Sequence, residues 1–116
     1  MLALQVIDIK VFLMAQRLSP EQQALYTLVD DVLWTEWDPV GINSVEAARD
    51  EYYSYLFPLV TLLVQGADEH RISSYLHRCE TIELGVDGSK PHCDEVARRI
   101  SGLRDQVCCY SSRMLN

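Results

Sequence analysis

Glycine is scarce, with 5 in 116 residues, and none of the arrangements in which glycine carries chemistry occurs. There is no Gly-x-Ser-x-Gly elbow to present a nucleophilic serine. Gly85 and Gly88 are too sparse, and lack the Lys-Ser or Lys-Thr, for a phosphate-cradling loop. Cys-x-x-Cys and His-x-x-x-His pairs are both missing, which removes the common zinc spacings. Positive charge is in short supply too: 10 basic side chains stand against 17 acidic ones, for a formal charge of −7. Such a surface repels phosphate and anionic lipid, so neither nucleic acid nor a membrane is an expected partner. No apolar run is long enough to cross a bilayer. The stretch from Leu2 to Met14 is broken by Gln5, Asp8 and Lys10 and has no basic residues ahead of it, so neither a signal peptide nor a transmembrane helix is expected. The reading is of a cytoplasmic protein, whose Cys79, Cys93, Cys108 and Cys109 stay reduced.

What is present is an ordinary globular composition, 48% hydrophobic and 23% charged. The length suits a single domain over residues 1–116. Its periodicity is mainly helical. Leu4, Ile7, Val11, Met14 and Leu18 draw one helical stripe over residues 1–18, although Ile7-Asp8-Ile9-Lys10-Val11 alternates as a half-buried strand would, and both readings stand. Ser19, Pro20 and Gln22 spell a capping box with proline at the first helical position, opening a helix whose apolar face is Leu25, Leu28, Val29, Val32 and Leu33. Trp34 and Trp37 follow near its end. Pro39 and Gly41 then force a turn.

Asn43 and Glu46 read as a second capping box, starting a helix through Tyr52, Leu56, Leu59 and Leu63 that Pro58 should kink or split. Gly66 suits a left-handed C-terminal cap and Asp68 the next N-cap, with Ile72, Tyr75, Leu76 and Cys79 on the apolar face. Residues 85–91 read as a loop, Val96, Ile100, Leu103 and Val107 as a last amphipathic helix, and residues 110–116 as a frayed tail. The expected fold class is therefore all-α, a compact bundle or orthogonal array of about five short helices.

Residues with chemical capacity cluster around the turn. Trp34, Trp37 and Tyr53 could line a groove while Asp38, Asp50 and Glu51 present carboxylates to a basic surface, the mixture found at interface hot spots. Equally, Asp38 and Asn43 could satisfy backbone groups of the turn, Trp37 and Tyr52 could pack it on the core, and Arg49 could form a solvated helix pair. Among paired carboxylates, neighbours such as Asp30 and Asp31 diverge on a helix, whereas Glu80 and Glu83 can share a face. His77, Cys79, His92 and Cys93 are weak metal-ligand candidates. No cofactor is implied.

The segment from Leu33 to Asn43, Trp-Asp-Pro-Val-Gly-Ile-Asn at its centre, followed by Asp50-Glu51-Tyr52 and Tyr55, resembles a group of short bacterial helical proteins. In that group a Trp-Asp-Pro-Ile-Gly-Val-Asn-like turn precedes an Asp-Glu-Tyr-x-x-Tyr helix, an apolar helix and a Gly-Ala cap. The likeness runs from Leu25 to Leu84 and does not extend to the cysteine-containing tail. It implies a compact helical module with an immunity-like or antitoxin-like role and carries over no catalytic residue. Charge, size and resemblance together lead to an expected protein-binding module, with a basic toxin domain as the partner it would mask. The alternatives are a metal-binding or enzymatic module built on the His and Cys residues, and a homo-oligomer joined through Trp34, Tyr53 and Phe57.

Overall fold

Ser19 opens the first helix as its sequence dictates. Its hydroxyl accepts from the Gln22 backbone N–H at 3.2 Å, and the Gln22 side chain accepts from the Ser19 N–H at 3.0 Å. The computed structural model describes the backbone of residues 19–115 and side chains as far as Val107; the expectation for segment 1–18 lies outside the described residues. Within them the chain is all-α, without a strand, in four α-helices: α1 (Pro20–Val32), α2 (Tyr53–Val64), α3 (Glu69–Arg78) and α4 (Lys90–Leu115). The expected count of about five included segment 1–18, so four stand against it among the described residues. No helix among the described residues is long and apolar enough to cross a membrane.

Both α1 and α3 end by widening into a π turn, Leu33–Trp37 and Cys79–Glu83. The Asp38 N–H reaches back to the Leu33 carbonyl at 3.0 Å, and the Leu84 N–H to the Cys79 carbonyl at 2.9 Å. One extra residue per turn rotates the side chains that follow relative to an α-helical register. Leu33, Trp34 and Trp37 of the first π turn and Cys79 and Glu80 of the second are buried.

Asn43 and Glu46 do not form the expected capping box. Glu46–Ala48 is one 3-10 turn led in by Val45 with no side-chain bond, and α2 begins only at Tyr53. Competition explains the difference, because the Asn43 N–H is taken by Asp38 Oδ2 at 3.3 Å and its side-chain amide donates to the Thr35 carbonyl at 3.5 Å. Pro58 does not split α2. It stands in the second turn of a continuous helix, where the missing N–H removes one intrahelical bond.

The α2 C-terminus is a Schellman cap: the Gly66 N–H donates to the Leu63 carbonyl and the Ala67 N–H to the Leu62 carbonyl, at 3.1 and 3.0 Å. Gly66 has φ +88° with open space around its missing Cβ. Gly66→Ala should therefore cost only the left-handed penalty, about 1 kcal/mol, read as a lower urea midpoint with an unchanged slope. Asp68 caps α3 as expected, accepting from the Arg71 N–H at 2.8 Å. The last helix starts earlier than expected, at Lys90, and takes Pro91 into its first turn; its backbone is helical to Leu115, beyond the point where fraying was the expectation.

α4 packs chiefly on α3 and α1, and α1 also meets α2. Val29, Leu59, Leu63, Ile72, Leu76, Ala97 and Ile100 are wholly enclosed where these helices meet. Leu28, expected on the core face of α1, is exposed instead.

Candidate acidic interface

Asp38 organises the link between α1 and α2. It ends the first π turn at φ +29°, a conformation an aspartate adopts when its side chain can bond locally. Here Oδ1 accepts from the Ile42 N–H at 2.8 Å and from the Tyr52 hydroxyl at 2.8 Å, while Oδ2 takes the Asn43 N–H. The Tyr52 hydroxyl in turn accepts from the Val40 N–H at 3.4 Å. Burial, reinforced by the bond to Asp38, raises the Tyr52 phenol well above its ordinary range, so this donor stays protonated. Gly41, at φ +68°, supplies the left-handed residue that closes the turn.

The aromatic residues hold this loop from below. Trp37 and Tyr52 are buried with ring centroids 5.3 Å apart, and Tyr55 meets Trp37 edge-on at 5.9 Å. Trp34 is buried too, so the structure places neither tryptophan in a surface groove: both belong to the core. Tyr53 and Asp50 are half-buried, Asp38 is half-buried within its own hydrogen bonds, and Glu51 alone of the six candidate binding residues is fully exposed.

Arg49 does not form a solvated helix pair. It lies outside any helix and reaches back to α1, donating from both guanidinium nitrogens to Asp30 at 3.1 and 2.9 Å while stacking 5.2 Å from the Trp34 ring. Asp30 is almost fully buried, and that burial outweighs the stabilising guanidinium and raises its carboxyl above the usual aspartate range. The fork and the stack together explain why this position carries arginine rather than lysine.

With Arg49 engaged in this way, the surface that remains is acidic. Between Asp30 and Glu51 stand Asp30, Asp31, Glu36, Asp38, Glu46, Asp50 and Glu51 against Arg49 alone, so this stretch holds six of the chain's seven net negative charges. Asp31, Glu46 and Glu51 are exposed on it, and Glu36 is paired with Arg99 of α4 at 3.2 Å. Sequence reasoning treated the −7 as a property of the whole chain; a running count of charge along the sequence would have located it.

A second polar centre lies beneath the loop. Glu80 is 2% exposed, yet among the described residues it forms no ion pair. Its Oε2 accepts from the Trp37 indole N–H at 3.0 Å, and its Oε1 from the Ser89 backbone N–H at 3.0 Å and the Cys93 thiol at 3.2 Å. Burial, then the bond to Glu80, pushes the Cys93 thiol up to about 12, so it serves as a donor and not as a nucleophile. Gly88 is required beside it, since a Cβ there would stand 2.9 Å from Oε1. Glu83, expected to share a face with Glu80, is exposed: the second π turn separates the two.

The four metal-ligand candidates are engaged elsewhere. Cys93 bonds Glu80, Cys79 is buried beside Tyr75, and His92 lies with Nε2 2.8 Å from the Glu36 carbonyl and 3.2 Å from that of Trp37. The His77 ring packs under Gly88. Among the described residues no three His, Cys, Asp or Glu side chains are arranged to hold a metal ion. Comparison with protein-family models, curated proteins and solved structures gives no match.

Proposed function

We propose that the chain is a small protein-binding module, cytoplasmic in setting, that captures a cationic protein surface with the acidic end formed by the C-terminus of α1 and the loop to α2. The observation that carries this reading is that the stretch from Asp30 to Glu51, the C-terminus of α1 and the loop pinned by Asp38, Tyr52 and the Asp30–Arg49 fork, holds six of the seven net negative charges, with Asp31, Glu46 and Glu51 exposed. Concentrated charge steers a cationic partner and speeds its encounter. A loop already ordered gives up little conformational entropy when it binds. An immunity-like or antitoxin-like role, masking the basic face of a toxin domain, is the biological form that best suits such a device.

The test is capture from a native lysate by the wild-type chain and by Asp31→Lys/Glu46→Lys, both exposed positions whose side chains take no part in the Asp38 and Arg49 side-chain bonds that pin the loop. The wild type should retain a basic protein, with retention falling steeply between 50 and 200 mM salt, and the variant should retain at least about tenfold less while keeping its helical circular dichroism. Equal retention by the two chains would sink the proposal.

A further inference from the structure

We propose that the groove between α1 and α2 is the seat of the chain's own segment 1–18, which lies along it as a helix and buries the stripe Leu4, Ile7, Val11, Met14 and Leu18. The segment lies outside the described residues; the groove, and the point at which the chain leaves it, lie within them. The inference is independent of the binding reading above.

α2 carries no charged side chain from Tyr53 to Val64 and is largely apolar all round, the pattern of a helix enclosed on every side. One face is nevertheless open. Phe57 is 47% exposed and Val64 55%, and both line the groove with Tyr26, whose ring centroid stands 6.0 Å from that of Phe57. On a chain with a formal charge of −7, no charged residue lines it. Its volume of about 230 Å³ falls below the roughly 300–1,000 Å³ of small-molecule sites and suits side chains inserted from a neighbouring element.

The chain departs from the edge of this groove. The Gln22 side chain, which accepts from the Ser19 N–H, is part of the lining, and Ser19 is extended at φ −64° and ψ 160°, so the residues before it turn off the axis of α1. Of the 18 residues that precede Ser19, 13 are apolar, and a segment of that composition gains by burying its stripe. As a helix, Leu4 to Leu18 spans about 21 Å, against about 17 Å for α2 from Tyr53 to Val64, so the stripe reaches the length of the groove. Asp8, Lys10 and Arg17 then fall at the margins of the stripe, where a docked helix meets water. As a strand, which the alternation from Ile7 to Val11 suggests, the segment would need a neighbour for its backbone N–H and C=O groups, and there is no strand among the described residues. A helix satisfies those groups internally.

The test is NMR on the full-length chain labelled with 13C and 15N. Phe57 ring protons and Val64 methyl groups should show NOEs to the methyl groups of Ile7, Val11 and Met14 of the same molecule. Absence of these NOEs would overturn the proposal. So would NOEs seen only between labelled and unlabelled chains in a mixed sample, which would give the groove to a second copy. Variants of the full chain read the same contact as stability. Val11→Lys and Val64→Lys should each raise the unfolding equilibrium constant about tenfold, and the pair by clearly less than the roughly hundredfold product, because either one already releases the segment. A Val64→Lys chain within about twofold of wild type, the behaviour of a position that nothing covers, or single effects that multiply in the pair, would count equally against it.

Discussion

Glu80→Ala should be among the most damaging single substitutions in the chain, lowering stability by about 3–4 kcal/mol and the urea midpoint by roughly 2 M. The carboxylate joins three elements through one buried side chain. Trp37 belongs to the π turn after α1, Glu80 to the one after α3, and Ser89 and Cys93 to the start of α4. Truncation leaves a buried indole N–H and a buried thiol without acceptors, each costing on the order of 1 kcal/mol or more, and releases the part-buried Ser89 N–H. Glu80→Gln should cost about half as much, because its carbonyl still accepts from Trp37 while its amide group faces donors. Glu83→Ala, three residues on and exposed, is the control and should leave the midpoint unchanged within error. A loss below about 1 kcal/mol for Glu80→Ala would show that water replaces the carboxylate and that the centre is not a staple. Since Trp37 also underlies the acidic loop, the variant should further weaken partner capture, at temperatures where it remains folded.

The parts of this architecture that short-range rules govern were legible from the residues. The Ser19–Gln22 box, the Asp68 cap and the Gly66 reversal each involve partners within about one helical turn, and each stands where the sequence puts it. The Asp38 turn was legible as one of two alternatives for the same reason, its backbone acceptances lying four and five residues away. What could not be read depends on long-range partners. The bond that buries Glu80 comes from Trp37, 43 residues distant, and nothing local distinguishes Glu80 from the solvated Glu83. Nor does any residue spacing signal the two π turns, closed by the Asp38 N–H on the Leu33 carbonyl and the Leu84 N–H on that of Cys79. Asn43 failed as a cap because its N–H had already been claimed, and a rule that scores residue types at fixed spacing does not register competition for one donor.

The Asp30–Arg49 fork provides the sharpest pH-dependent expectation. Arg49→Ala should cost about 2–3 kcal/mol at pH 7, below the full figure for an enclosed ion pair because the guanidinium side chain is 32% exposed and partly screened. Most of that loss is the uncompensated Asp30 carboxylate, only 5% exposed. Its carboxyl is already raised in the folded wild type, by burial above all, and removing the cation raises it further. The folded variant therefore binds a proton more tightly than the unfolded chain does, so stability rises as pH falls through the folded value and levels off below the unfolded one, near 3.8. The difference between wild type and Arg49→Ala should thus narrow on acidification from pH 7 toward pH 4, measured as paired urea midpoints. Asp30→Asn in the Arg49→Ala background should recover part of the loss at pH 7 and remove that narrowing, since no buried charge is left to neutralise. A penalty that stays constant across this range would assign the effect to the lost stack on Trp34 instead of the ion pair. The same measurement bears on binding. Arg49 ties the loop to α1, and releasing it should slow no encounter, since net negative charge increases, yet should shorten the life of the complex because the loop must be ordered anew at each binding event.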